Sequence, residues 1–483
     1  MKSLIMILII VAALCCSVAA SPTVDVTKLQ YPRLNDIEIP KITRHTLGNG
    51  LRLYLVEDHE LPLFRMSVRI NCGGFMEPAD KIGLVAILGQ TLRTGGTTTR
   101  TGDALDELLE SIGGSVETFG GITTCGASVS VLSEHTDLGL EVLSDILQNP
   151  VFDPDKIELA KVAHRSGISR RNDQPQQIVS REFAKLIYGA ESPYARHTEY
   201  ATIEAISRDD LVAFHRAWFH PENVQMAIWG DFDPKKLVKQ VEKLFGKWPR
   251  GSSPVPPLPK VTYKYKQQVY LVDKADLNQA QVIIGHIGGL LTDRDYADRI
   301  VMNTIMGVGF GSRMVDAVRS REGLAYSTSS AFGANVDRPG VFTSYAATKS
   351  GSTAKAIREM IKVVRSMQTD PPTVDELKTG KDSYLNSFVF QFDTRAEVVN
   401  RIMDYDFYGL PNDFLQQVKA RVESVTADDI IDAAKRNLKP DSLIIMVVGN
   451  PNDFDEPLDS LGLGPVERID IAIRQAEAHG GSR

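Results

Sequence analysis

Apolar residues recur at helical spacing in the stretch GLVAILGQTLRTGG, residues Gly83–Gly96. Leu84, Val85, Ile87, Leu88 and Leu92 share one side of the predicted helix. The side left for a cleft holds Ala86, Gly89 and Gln90, none of which can do acid–base work. Strand-rich segments open at LFRMSVRI from Leu63 and at QVIIGHI from Gln281, and a helical pattern follows each. Later, DLGLEVLSDILQNPVFDPDKIELAK resembles KAIREMIKVVRSMQTDPPTVDELKTGK. In both, an amphipathic helix stops at Pro and a second starts at an Asp- or Thr-capped turn.

A third pair of segments, Tyr54-Leu-Val-Glu-Asp-His-Glu-Leu61 and Tyr270-Leu-Val-Asp-Lys-Ala-Asp-Leu277, falls in the same order. Three matched pairs in register argue for an internal duplication. Each half therefore mixes strands with long helices, an α+β (or α/β) arrangement of helices layered on one sheet. Between the halves, Lys247–Lys260 contains five prolines. Proline forbids helix interiors and central strands, so this segment reads as an extended, semi-rigid connector. Two further stretches stay open. Glu117–Leu132 alternates small and apolar residues, as a strand exposing an edge to a peptide would, and equally as an ordinary sheet strand. Ile305–Ser312 is glycine-rich before a helix but lacks the lysine of a phosphate-binding loop.

Composition adds limits. The chain has 483 residues, a formal net charge of -7 and 43% hydrophobic residues, enough for a large core and two to four domains. Charges of both signs are spread along it, and no basic run suits nucleic acid. Lys2, the apolar run Leu4–Cys16 and the small residues Ser17–Ser21 form an export-type leader with a cleavage point after Ala20. The run is shorter than the roughly 20 residues that span a bilayer. The alternative is retention as an anchor. Two of the four cysteines leave with the leader. Cys72 and Cys125 remain, and an oxidising compartment permits a bond between them without requiring it.

The order of blocks carries a resemblance. A strand is followed by NCGG, Glu77-Pro78, Gly83-Leu84, the helix, then Gly95-Gly96-Thr97, SPYARHTEYATIEAISRDDLVAFHRAWFHPENVQMAIWGDF and a repeat of the whole scheme. It resembles the pitrilysin/insulinase family of zinc peptidases, the inverzincins, over nearly all of the mature chain. The resemblance implies two homologous domains, each a mostly antiparallel sheet covered by helices, together forming one half of a clamshell. The implied segments are a leader at 1–20, an extended segment at 21–40, a first peptidase-like domain at 41–246 and a connector at 247–262. A second peptidase-like domain at 263–462 and a tail at 463–483 complete the chain.

In that family the helix carries H-x-x-E-H: two histidines bind zinc from one face, and the Glu acts as general base on the metal's water. Here those positions are Ala86, Gly89 and Gln90, and the remaining Glu ligand maps to Gly167. The four chemical groups are missing, so no zinc is expected in this chain and no hydrolysis by it alone. Among the nine histidines, His215 and His220 do not share a helical face well, and His164, one turn before Gly167, is the best-placed stray candidate for a relocated metal. The second half keeps more. In Gly309–Phe332 a helix is predicted from Ser312 to about Arg321, Gly323 stops it, and a strand starts at Leu324. Arg319 and Tyr326 then match the family's Arg and Tyr, which reach the substrate carbonyl from the second domain. As an amide is attacked, a guanidinium and a phenolic O–H can stabilise the oxyanion. The plainer alternative makes Arg319 a surface ion pair and Tyr326 half-buried strand filler.

In two-chain family members the zinc and the Arg/Tyr pair come from different subunits. The resemblance thus implies a non-catalytic subunit of an exported, periplasmic peptidase, paired with a homologous zinc-bearing subunit and acting on peptide or unfolded polypeptide. The alternatives are a peptide-binding or scaffold protein with no part in chemistry, and an enzyme with a relocated metal site.

Overall fold

The computed structural model describes residues 41–252 and 254–474. The leader and the extended segment expected before residue 41 lie outside the described residues. The first half contributes strands β1 (Thr43–Thr46), β2 (Arg52–Glu57), β3 (Leu63–Ile70), β4 (Ser115–Gly120), β5 (Cys125–Leu132) and β6 (Val224–Gly230). Its helices are α1 (Leu84–Thr94), α2 (Gly102–Ser111), α3 (Thr136–Gln148), α4 (Pro154–Ser169), α5 (Pro175–Tyr188), α6 (Tyr200–Glu204), α7 (Arg208–Trp218) and α8 (Pro234–Phe245). The second half supplies β7 (Gln268–Asp273), β8 (Gln279–Ile287), β9 (Gly289–Leu290), β10 (Ala325–Asn335), β11 (Pro339–Lys349), β12 (Ile444–Gly449) and β13 (Val466–Arg468). Helices α9 (Tyr296–Gly307), α10 (Thr353–Ser366), α11 (Val374–Ser387), α12 (Arg395–Tyr408), α13 (Phe414–Ser424) and α14 (Ala427–Asn437) belong to it.

The duplication is visible in the pairing. One sheet has the order β1-β2-β6-β3-β5-β4 and the other β13-β7-β12-β8-β11-β10-β9. In each, one strand pair is parallel (β2 with β6, β7 with β12) and the next is antiparallel (β6 with β3, β12 with β8). The matched helix pairs also agree: α4 starts from the Asp153 cap, and α11 starts from a capping box between Thr373 and Glu376.

Two expectations change. Glu117–Leu132 is not one strand. Gly121 donates to the Thr124 carbonyl at 2.9 Å, closing a hairpin between β4 and β5. Of these two strands, only β4 lies at an edge of the sheet. The segment read as a tail, in turn, adds β13 in parallel beside β7, and Ile469 and Ile471 pack on that sheet.

The halves exchange helices. Ile178, Val179, Phe183 and Ile187 of α5 pack on Tyr270, Val272, Ile283, Ile444, Met446 and Val448 of the second sheet. Reciprocally, Val399, Ile402, Met403 and Tyr405 of α12 pack on Tyr54, Val56 and Ala227 of the first. Each such buried side chain contributes roughly 1.5–3 kcal/mol. The described residues of the connector, 247–252 and 254–262, hold no helix or strand. If the swapped helices hold the halves together, cutting the connector leaves the fragments joined. With a protease site replacing Gly251-Ser252, the nicked chain is expected to elute as one species in size-exclusion chromatography. Separation of the fragments without denaturant would show that the connector, and not the swapped helices, joins the halves.

Candidate functional site

Helix α1 begins at Gly83, whose φ of 108° is a left-handed conformation that suits glycine. The Glu77 side chain accepts from the Val85 amide at 2.7 Å and so caps that end, and burial raises the Glu77 carboxyl above its usual range. Leu84, Val85, Ile87, Leu88 and Leu92 are buried, as the spacing predicts.

The degenerate positions separate into two kinds. Gly89 is buried against the edge strand: the Thr118 hydroxyl donates to the Gly89 carbonyl at 2.6 Å. A Cβ on Gly89 would lie 2.1 Å from the Gly120 nitrogen and 2.4 Å from the Phe119 carbonyl carbon. A Cβ on Gly120 would in turn lie 1.9 Å from the Val85 carbonyl oxygen. Helix and strand touch backbone to backbone where the family's general base would project. Gly167, on α4, has nothing within 4 Å of such a Cβ. Gln90 and Gly167 line one cleft of about 270 Å³, and Ala86 lines a neighbouring one of about 320 Å³. His197 and Thr198 border both.

The chemistry of these clefts does not fit a zinc ion. Ala86, Gly89 and Gly167 offer no side-chain donor, and Gln90 is a poor ligand. His164 and His197 line the first cleft, and each has a buried Nε2 without a hydrogen-bond partner. Burial lowers both, with His197 pushed down to about 4 as the nearby Lys185 and Arg181 charges add to the effect. Both are therefore neutral imidazoles at pH 7. Among the described residues, however, no three His, Cys, Asp or Glu side chains converge as a metal site would need. His215 has a structural place: it packs edge-on to Phe152, and its Nε2 meets the Leu147 carbonyl at 2.9 Å.

Arg319 and Tyr326 are brought together on the second sheet. Arg319 lies in a π-helical turn, Val315–Arg321, where an α-helix was expected, and Tyr326 opens β10. Gly323, at φ 61°, makes the reversal between them. The Arg319 guanidinium sits 5.7 Å from the Tyr326 ring centroid and 5.1 Å from that of Phe310. Tyr326 is 80% exposed and Phe310 79%. The ion pairs found among the described residues do not include Arg319. Two aromatic faces thus flank a half-buried guanidinium that makes cation–π contacts in place of an ion pair among the described residues, and Tyr326 is exposed, not half-buried. Phe310 was not singled out from sequence. Its one sequence signal is an aromatic set between Gly309 and Gly311, and a single exposed aromatic carries no functional meaning by itself.

Residues 53–200 match the family described as Insulinase (Peptidase family M16), and residues 205–384 match the Peptidase M16 inactive domain. The chain belongs to peptidase family M16. An uncharacterized zinc protease of Bacillus subtilis, YmxG, is 25% identical over 361 residues, covering 74% of this M16 chain and 87% of that protein. A Helicobacter pylori protein named as a non-peptidase homolog, also YmxG, is 24% identical over 400 residues, covering 82% and 90%. Among solved structures, a Pseudomonas fluorescens peptidase M16 inactive domain matches with a TM-score of 0.75 at 21% identity, covering 85% of this chain and 98% of that one. The periplasmic protease PqqL of Escherichia coli matches with a TM-score of 0.73 at 15% identity, over 87% of this chain and 47% of that one.

Proposed function

We propose that this M16 chain is the non-catalytic subunit of an exported zinc peptidase, and that it lends Arg319 and Tyr326 to a substrate carbonyl held at a homologous partner's metal. The observation that carries this reading is the contrast between two positions. Gly89 leaves no space for a catalytic side chain, while a half-buried Arg319 is held against an exposed Tyr326, with no salt bridge to Arg319 among the described residues. The zinc and its activated water belong to the partner. This chain's own part is to orient two donors: the guanidinium N–H groups and the phenolic O–H, both able to stabilise a growing oxyanion. The substrate is a peptide or unfolded polypeptide, and the compartment is the periplasm.

The Helicobacter relative's name, a non-peptidase homolog, also fits a holder of peptides with no chemical role. One experiment separates the readings. Tagged chain purified from its own cells is expected to bring down a homologue bearing H-x-x-E-H, with zinc in the complex and peptidase activity absent from either chain alone. Chelator-sensitive peptide cleavage by the lone chain would overturn the proposal.

A further inference from the structure

Cys125 opens β5 and pairs with Ile70 at the end of β3, and Cys72 stands two residues beyond that pair. The chain turns back there, as the Cys72 amide donates to the Ile70 carbonyl at 2.9 Å. Both side chains are sealed, at 0% and 1% exposure, and their sulfurs meet 3.0 Å apart as thiols. Beyond Cys72 the backbone lies on the β4–β5 hairpin: Gly74 donates to the Gly121 carbonyl at 2.9 Å and Phe75 to the Ile122 carbonyl at 3.0 Å. A Cβ on Gly73 would fall 2.5 Å from the Ile122 carbonyl oxygen, so this contact leaves no slack. Arg196 holds the same turn through the Gly74 and Glu77 carbonyls. The two cysteines therefore join the turn that leads to the Glu77 cap of α1 with the root of the edge hairpin. Both elements wall the cleft beside Ala86.

We propose that Cys72 and Cys125 form a structural disulfide in the mature protein, closing the loop that carries α1, α2 and β4. The proposal rests on the exported reading above, in which the chain folds in a compartment where thiol–disulfide exchange operates. The bond needs the sulfurs to approach by about 1 Å, a small movement for two side chains already in contact. The oxidant is a protein of the thiol–disulfide oxidoreductase class. One cysteine thiolate attacks its disulfide, forming a mixed disulfide and releasing one oxidoreductase thiolate. The second cysteine thiolate then attacks the mixed disulfide, and the oxidoreductase leaves as a dithiol. Two electrons pass to it, and the two cysteine protons go first to solvent and then to its thiolates. Burial raises the Cys72 thiol well above its ordinary range, and no solvent reaches either sulfur once β3 and β5 have closed. Exchange therefore precedes closure, and the finished bond is a static clamp, not a redox switch.

The test uses the full chain with its leader, recovered from the periplasm with iodoacetamide present at lysis and then denatured. The intact mass is expected to be two hydrogens lighter than the dithiol form, with no alkyl group added. Alkyl groups mapped to Cys72 and Cys125 themselves would overturn the proposal. A second measurement does not depend on export: chain refolded in a glutathione/glutathione disulfide buffer is expected to close the bond and melt several degrees above chain refolded with dithiothreitol. Cys72→Ser/Cys125→Ser is expected to melt at one temperature in both buffers. Equal melting of the two wild-type preparations would refute the clamp.

Discussion

Gly89→Ala is expected to lower stability by at least about 2 kcal/mol, and Gly89→Glu to prevent folded protein from accumulating. Alanine is normally the better helix residue by about 1 kcal/mol, so the usual sign of this substitution is reversed. The reason is the contact. A Cβ at position 89 meets the Gly120 nitrogen and the Phe119 carbonyl carbon at 2.1 and 2.4 Å, and backbone atoms cannot rotate away. Relief would require moving β4 off α1, losing the Thr118 bond to the Gly89 carbonyl. Gly167→Ala is the matched control. It lies on a helix with open space around it, so it is expected to gain about 1 kcal/mol. Thermal and urea unfolding of the two variants measure the difference. Equal stabilities would mean that helix and strand part easily and that position 89 is only incidentally glycine. The opposite signs carry a functional consequence. Reinstating all four metal-site residues is not expected to create a peptidase, because the general base has no volume to occupy.

Much of this was legible along the chain. The matched segments at Tyr54 and Tyr270 open equivalent strands, β2 and β7, and the capped turns at Asp153 and Thr373 start equivalent helices. Local signals of this sort depend on spacing and side-chain type alone. The missing metal ligands were legible for the same reason. What stayed hidden depends on three dimensions. The apolar stripe of α5 predicts that Ile178 and Phe183 are buried, but nothing in it specifies the opposite half's sheet as the surface that covers them. Gly89 reads as an absent functional group, whereas its packing on Gly120 makes it a structural requirement. The hairpin at Gly121 was missed because alternation continues on both sides of the turn. Phe310 stayed silent because its meaning lies in its distance to Arg319, nine positions later.

If the proposed pairing with a zinc-bearing homologue holds, Arg319→Ala in that complex is expected to reduce kcat by about 10²- to 10³-fold, the usual loss for one oxyanion donor. Tyr326→Phe is expected to fall in the same direction while preserving the ring that holds Arg319. Tyr326→Phe should leave the melting temperature unchanged, since Tyr326 is 80% exposed, and Arg319→Ala should lower it only slightly, through its two exposed-ring contacts. Phe310→Ala separates positioning from chemistry. An exposed cation–π contact is worth about 0.5–1 kcal/mol, so its loss predicts a two- to fivefold decrease in kcat, with KM nearly unchanged. Phe310→Tyr should restore the rate, because it returns the aromatic face. The graded order Arg319, Tyr326, Phe310 is the signature of donors placed against a transition state. A complex that assembles normally and turns over at the wild-type rate with Arg319→Ala would remove these residues from catalysis. Failure to assemble would instead make the cluster a docking contact and favour the peptide-holding reading.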